Sequence, residues 1–239
     1  QLFDAGSPLW VLDEIHKSRH WKNWLKGLFD EHRGRHQILV TGSAKLNAYV
    51  RGGDSLQGRY FLHRLHPFTL SEYLGLGFDG SAWLEMPGSA TEEGKKALED
   101  FLALGGFPEP LLSGSSRKAS RWRLAYGQRL VEEEIRNLES LKHLDQVELL
   151  WDRLPTTVGS VLSINSLRED LEVAFETARN WIRIFEKFYA VFRIPPWGPP
   201  RIKAVKKEQK LYLWDWARVE EPGPRFENLV ALHLLRLCH

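Results

Sequence analysis

The sequence predicts an α/β fold at its N-terminal end, then a helical segment, then three helices closed by a β-hairpin. Three observations carry this expectation. The runs Leu9-Trp10-Val11-Leu12 and Ile38-Leu39-Val40 are continuously apolar and flank a helix-length amphipathic stretch, the order of a βαβ unit with parallel strands. From about residue 92 to 150 the apolar spacing is largely helical. Residues 141–215 then hold three helical patterns followed by two short apolar runs around a Pro/Gly-rich loop.

In chain order, residues 8–13 read as a buried strand. Residues 20–33 read as a helix with Trp21, Trp24, Leu25, Leu28 and Phe29 on one face and Gly34 as its C-terminal cap. Residues 37–41 form the next strand. The Gly-rich stretch 51–58 reads as a loop, 60–65 as a third strand, and Pro67 with Thr69 and Ser71 opens a helix around Glu72-Tyr73-Leu74. Residues 75–94 are Gly/Ser-rich and read as a surface loop. The turn Gly105-Gly106-Phe107-Pro108-Glu109-Pro110 and the polar loop 113–118 interrupt the helical segment. Helices follow at 143–154, 166–171 and 175–189, then strands at 191–194 and 210–213, and a last helix from 225. That order is the order of a winged helix-turn-helix.

A length of 239 residues suffices for two or three small domains. There is no run of about 18 apolar residues that would span a membrane, and no basic-then-apolar leader pattern. The one cysteine, Cys238, leaves no intrachain disulfide and suits a reducing cytoplasm. The nine histidines give no zinc spacing. The ten tryptophans are scattered and read as core anchors. The chain opens at Gln1 and closes at His239 inside the stripe Leu229, Leu232, Leu235, Leu237, so it reads as an internal piece of a longer protein.

The chemistry-bearing feature is Asp13-Glu14 at the end of the first strand. A nucleotide hydrolase needs one carboxylate to hold Mg²⁺, usually through water, and one to orient the attacking water. Asp13 would serve the metal and Glu14 the water. Thr41 and Ser43, at the tip of the next strand, stand where a polar group would sense the terminal phosphate. The competing reading is that both acids simply favour the N-terminus of the following helix. This is how the Walker B edge of a P-loop ATPase looks, yet no G-x-x-x-x-G-K-[S/T] loop occurs in the sequence.

Successive motifs extend the pattern: Leu12-Asp13-Glu14-Ile15-His16-Lys17, Thr41-Gly42-Ser43, Ser55-Leu56-Gln57-Gly58-Arg59-Tyr60-Phe61 and Leu65-His66-Pro67-Phe68-Thr69-Leu70-Ser71-Glu72-Tyr73. Gly105 to Pro110, Lys210-x-Tyr212-x-x-Asp215 and Arg225-Phe226-Glu227-Asn228-Leu229-Val230-Ala231 continue it. In this order they resemble the bacterial and archaeal AAA-type ATPases that carry a C-terminal domain of unknown function. The resemblance implies Asp13 and Glu14 as Walker B residues, Ser43 or Thr41 as sensor, and Arg59 as a candidate arginine finger. Arg59 could equally pair with a nearby acid. The resemblance also implies a C-terminal domain of restriction-endonuclease-like fold, with Glu227 where its first-helix carboxylate would be. A lone Glu cannot hold a catalytic metal, so no nuclease activity is expected.

Residues 175–210 contain nine Lys/Arg against three Glu. Arg179, Arg183 and Lys187 fall at four-residue spacing on one helix face, and Arg201, Lys203, Lys206, Lys207 and Lys210 follow in the wing. Such a face could contact DNA phosphates, or be a solvated surface of a spacer or protein-contact module.

The fold expected is therefore a partial P-loop α/β core at 1–80, a helical lid at 81–140, a winged helix-turn-helix at 141–215 and the truncated start of an endonuclease-like α/β domain at 216–239. The function expected is that of a part of an ATP-hydrolysing switch with ATP and Mg²⁺ as cofactors, the piece itself being inactive without a phosphate loop. A non-catalytic DNA-binding or protein-interaction module is the alternative. The partners expected are ATP, DNA and further copies of the chain in a homo-oligomer, with no membrane and a cytoplasmic location.

Overall fold

The computed structural model describes residues 6–42, 56, 58–76, 91–135, 144–197 and 209–238. These described residues form a mixed α/β structure with two small sheets and many helices. The chain divides into two compact units, Gln1–His63 and Arg64–His239.

In the first unit, β1 (Leu9–Asp13) and β2 (Gln37–Thr41) pair in parallel, Leu9 opposite Gln37 through Asp13 opposite Thr41. A 3-10 turn (Ile15–Lys17) and α1 (Trp21–His32) connect them. Helix α1 ends because Gly34 takes φ +79°, a left-handed conformation that favours glycine and turns the chain into β2. Trp10 projects from β1 onto His32 and His36, with ring centroids 4.8 and 4.4 Å away. This aromatic contact ties the strand to the end of the helix that returns the chain to it.

Two expectations fail here. β1 is not buried on both faces: Leu9 and Val11 are 41% and 58% exposed, because the described sheet has only two strands and one face lies open. Residues 60–65 form no strand. They find no partner strand among the described residues, and Phe61 and Leu65 stand 92% and 98% exposed.

The second unit begins with α2 (Leu70–Tyr73), opened by a capping box. The Glu72 N–H donates to the Thr69 hydroxyl oxygen at 3.3 Å and the Thr69 N–H donates to the Glu72 carboxylate at 2.9 Å. Then come α3 (Glu92–Leu104), α4 (Pro108–Leu112) and α5 (Ser116–Gln128). A π-helical stretch (Arg129–Ile135) continues from α5. α6 (Leu144–Arg153), α7 (Ile164–Asp170) and α8 (Phe175–Lys187) precede the antiparallel pair β3 (Val191–Ile194) and β4 (Lys210–Leu213). α9 (Pro222–Leu237) closes the unit. The expected helices at 143–154, 166–171 and 175–189 and strands at 191–194 and 210–213 are thus present within a few residues.

The core of this unit gathers the motifs that the sequence spreads over more than a hundred residues. The Trp216 indole is fully buried and donates to the Phe101 carbonyl at 2.7 Å. The buried Asn228 side chain mimics a strand edge, accepting the Leu213 N–H at 2.8 Å and donating to the Leu213 carbonyl at 2.7 Å. This fixes α9 against β4 and satisfies backbone groups that burial would otherwise leave costly. Gly106 leaves no room for a side chain: a Cβ there would lie 2.4 Å from the Trp216 ring. Among the described residues Trp21 of the first unit and Trp151, Trp181, Trp214 and Trp216 of the second are buried anchors as expected, while Trp24 and Trp197 are exposed.

Candidate active site

The end-to-end register of β1 and β2 brings Asp13 opposite Thr41 at the carboxyl ends of both strands. The Thr41 hydroxyl donates to Asp13 Oδ1 at 2.6 Å, a short charge-assisted bond that orients the carboxylate. In open α/β sheets this edge is where ligands bind. The ladder continues one step further, the Glu14 N–H donating to the Thr41 carbonyl at 2.9 Å.

Glu14 itself sits at φ 52°, the left-handed region that non-glycine residues rarely occupy. Its carboxylate lies 3.2 Å from Lys17 Nζ and 3.6 Å from His16 Nε2. The sequence reading gave Lys17 no role, although its i, i+3 spacing from Glu14 across the turn signals the pair. Asp13 is exposed and Glu14 half-buried. Asp13, Glu14 and Thr41 are thus brought together. Ser43 lies outside the described residues.

Arg59 joins a different group. Its Nε donates to Asp30 Oδ1 on α1 at 3.3 Å, with both side chains partly exposed. Of its two readings, pairing with a nearby acid is the contact present, and Asp30 is a partner that the motif alone did not suggest.

Oxygen donors dominate the tip: the Asp13 carboxylate and the Thr41 hydroxyl. They fit Mg²⁺, which takes oxygen ligands and keeps several waters. Among the described residues no group of three or more His, Cys, Asp or Glu side chains is arranged to hold a metal by itself. Glu227 in particular is engaged otherwise. It accepts from Lys210 Nζ at 2.8 Å and from the Tyr212 hydroxyl at 2.7 Å. These two donors hold its carboxyl below the usual range, while burial and the Glu227 charge push the Tyr212 phenol up.

Most of the described cations of the basic segment 175–210 are matched by acids. Arg179 pairs with Glu176, Arg193 grips Glu186 through two bonds of 2.7 Å, and Lys210 takes Glu227. Arg183 and Lys187 are exposed on α8. Arg201, Lys203, Lys206 and Lys207 lie outside the described residues.

Comparison with known proteins bears on both ends of the chain. An "AAA domain" family profile matches residues 1–74, which supports an AAA-type ATPase-like domain around the Asp13–Thr41 tip. A second profile, "Domain of unknown function (DUF8612)", matches residues 95–218, just over half of the chain. The chain belongs to the DUF8612 family. The DUF8612 region runs from α3 through β4 and holds α8 with its exposed Arg183 and Lys187. Among similar proteins, the uncharacterized protein MJ1637 of Methanocaldococcus jannaschii is 27% identical, with 95% of this chain and 54% of that protein covered. The uncharacterized protein Rv2008c of Mycobacterium tuberculosis is 22% identical, with 87% and 43% covered. The chain therefore spans about half the length of these relatives. No solved structure matches it. No helix among the described residues is long and apolar enough to cross a membrane.

Proposed function

We propose that this chain supplies the hydrolytic edge of an ATP-binding and hydrolysing AAA-type ATPase that works as a nucleotide-driven switch. The observation that carries the reading is the Thr41–Asp13 hydrogen bond at the carboxyl ends of two parallel strands, with Glu14 next in line. AAA-domain similarity over residues 1–74 supports the class.

In this reading Asp13 would hold Mg²⁺ through water, and Thr41 keeps the Asp13 carboxylate aimed. Bound with ATP, Mg²⁺ would neutralise phosphate charge. Glu14 orients the attacking water and accepts its proton. Thr41 or Ser43 senses the terminal phosphate, and Arg59 is the candidate cation for charge developing on it. No G-x-x-x-x-G-K-[S/T] loop occurs in these 239 residues, and such a loop supplies most phosphate contacts. The activity is thus proposed for the whole protein, and the chain by itself is expected to bind Mg-ATP no tighter than millimolar. The test compares whole protein with its Glu14→Gln variant. Turnover is expected to fall at least about a hundredfold with ATP binding retained. Equal turnover in both would sink the reading.

A second reading has its own support. Helices α6–α8 followed by the antiparallel β3–β4 pair have the order of a winged helix, and Arg183 projects from α8. We propose this as a module moved by the switch, with Arg179, Arg183 and Lys187, and Lys206 and Lys207 beyond them, as candidate DNA-phosphate contacts. Loss of salt-sensitive DNA binding in Arg183→Gln would support it, and unchanged binding would remove it.

A further inference from the structure

Among the described residues of the second unit, the least neutralised cationic surface is on α5 rather than α8. From Ser113 to Val131 the sequence carries Arg117, Lys118, Arg121, Arg123 and Arg129 with no Asp or Glu. The helix splits these charges by face. Arg123 turns inward, where it pairs with the buried Asp215 at 3.2 Å and donates to the Ala103 and Leu104 carbonyls. Ala119 and Gly127 are buried on the same side. Arg117, Lys118, Arg121 and Arg129 face outward, all exposed. Among the described residues none of the four makes an ion pair or side-chain hydrogen bond, whereas Arg179, Arg193 and Lys210 all do.

We propose that this outer face of α5 binds the phosphate backbone of nucleic acid. From Arg117 to Arg129 the cations extend over about 18 Å of helix axis. A duplex offers about ten phosphate charges over that length, at one per about 1.7 Å. Three of the four cations are guanidinium groups, whose planar fork suits phosphate oxygens. A protein partner fits less well, because protein interfaces concentrate apolar side chains at their centre and deplete lysine there. Between Arg121 and Arg129 this face exposes Leu124, Ala125 and Gln128, one large apolar side chain rather than an apolar cluster. Four unpaired cations at close spacing also repel one another, and a polyanion relieves that repulsion. The inference depends neither on the ATPase reading nor on α8.

The experiment measures binding of the full chain to a labelled 20-base-pair mixed-sequence DNA duplex by fluorescence anisotropy, between 50 and 200 mM salt. Four phosphate contacts give a slope of log affinity against log salt of about −3.6, so affinity falls roughly a hundredfold over that range. The triple variant Arg117→Gln, Lys118→Gln, Arg121→Gln is expected to keep its thermal midpoint and to show a slope near −1. Lys96→Gln, on an exposed part of α3, serves as the control and is expected to bind as the parent chain does. Absence of salt-sensitive binding by the parent chain overturns the proposal, as does an unchanged slope in the triple variant. If Arg183→Gln abolishes binding while the triple variant retains it, α8 is the site and α5 is not. A labelled polyglutamate peptide that binds as tightly as the duplex makes the face a site for acidic protein, and this too overturns the proposal.

Discussion

The Arg123 guanidinium meets the buried Asp215 carboxylate at 3.2 Å, joining α5 to the turn after β4 across 92 residues of sequence. Asp215 is 4% exposed. Burial pushes its carboxyl up, while the charges of Arg123 and Arg218 and the Ala217 N–H pull it back. Arg218 stacks 3.6 Å over the Trp151 ring and is itself pushed down to about 10 by burial. Arg123→Ala would leave a desolvated carboxylate short of its main partner. A loss of about 3–5 kcal/mol in urea unfolding is expected. Arg123→Ala combined with Asp215→Asn should cost less than the single change, because the uncompensated charge is gone. A single variant within about 1 kcal/mol of the parent chain contradicts this role.

Gly105 belongs to the same arrangement. Its φ is +84°, and a Cβ there would lie 2.6 Å from Asp215 Oδ1. Gly105→Ala therefore meets two obstacles, backbone strain and a clash with a carboxylate held on its other side. Each is of order 1–3 kcal/mol, so the thermal midpoint should drop by at least about 4 °C. Gly34→Ala tests strain alone, since its φ is +79° and nothing lies within 4 Å of an added Cβ. The drop at Gly105 should exceed that at Gly34, and the reverse order would show that the Asp215 contact adds nothing.

Local patterning made β1, α1 and β2 legible, because apolar continuity and the Gly34 cap act within a few residues. The same signals gave the helices and strands from α6 to β4. What escaped was set by distant partners. Residues 60–65 have strand-like composition, but a strand needs a neighbour, and no sequence pattern states whether one is present. The excess of positive charge at 175–210 reads as a surface, but Lys210 pairs with Glu227, seventeen residues beyond it and outside the segment. The freer cations of α5 were visible as an acid-free stretch, but a count alone could not separate inward Arg123 from outward Arg121. The Asp13–Glu14 pair was legible as the end of a strand, and the Thr41 hydroxyl bond to Asp13 follows from the strand register. The Asp30 partner of Arg59 was not legible, because loop geometry decides it.

His233 links α9 to α2 and gives the unit a pH dependence of predictable sign. The Leu70 N–H donates to His233 Nε2 at 3.1 Å, and His233 Nδ1 bonds the Leu229 carbonyl at 2.9 Å. This pairing requires neutral imidazole with the proton on Nδ1. Burial lowers the His233 pKa, and the nearby Arg236 charge adds to this against Glu72 and the Leu229 carbonyl. The unfolded chain then takes up a proton near pH 6.5 while the folded chain still resists it. Stability from this group is present above about pH 6.5 and is lost as pH falls through the lower folded value. Glu72 has a lowered pKa too: burial opposes its charge, but Thr69 and Arg236 outweigh it. Its contribution is lost only at more acidic pH, below about 4.5. His233→Gln keeps an acceptor for the Leu70 N–H and cannot titrate. Urea unfolding from pH 7.5 to 5 should show a shallower fall for this variant than for the parent chain, and parallel curves would refute the assignment.

Arg59 offers the sharpest division between structure and chemistry. Its pair with Asp30 is 3.3 Å long and partly solvent-exposed on both sides. Exposed pairs of this kind contribute less than about 1 kcal/mol, so Arg59→Ala should leave the unfolding midpoint nearly unchanged. Asp30→Asn should be equally mild. On the proposed ATPase role the two variants part company in the whole protein. Removing Arg59 takes away a cation that acts on charge developing at the terminal phosphate, so turnover should fall by roughly a hundredfold or more while ATP affinity stays within a few fold. Asp30→Asn leaves the guanidinium in place and should retain most turnover. Equal turnover in parent and Arg59→Ala would make the Asp30 pair the whole role of Arg59. Equal losses in both variants would instead make the pair a positioning contact through which the loop after Gly58 is held.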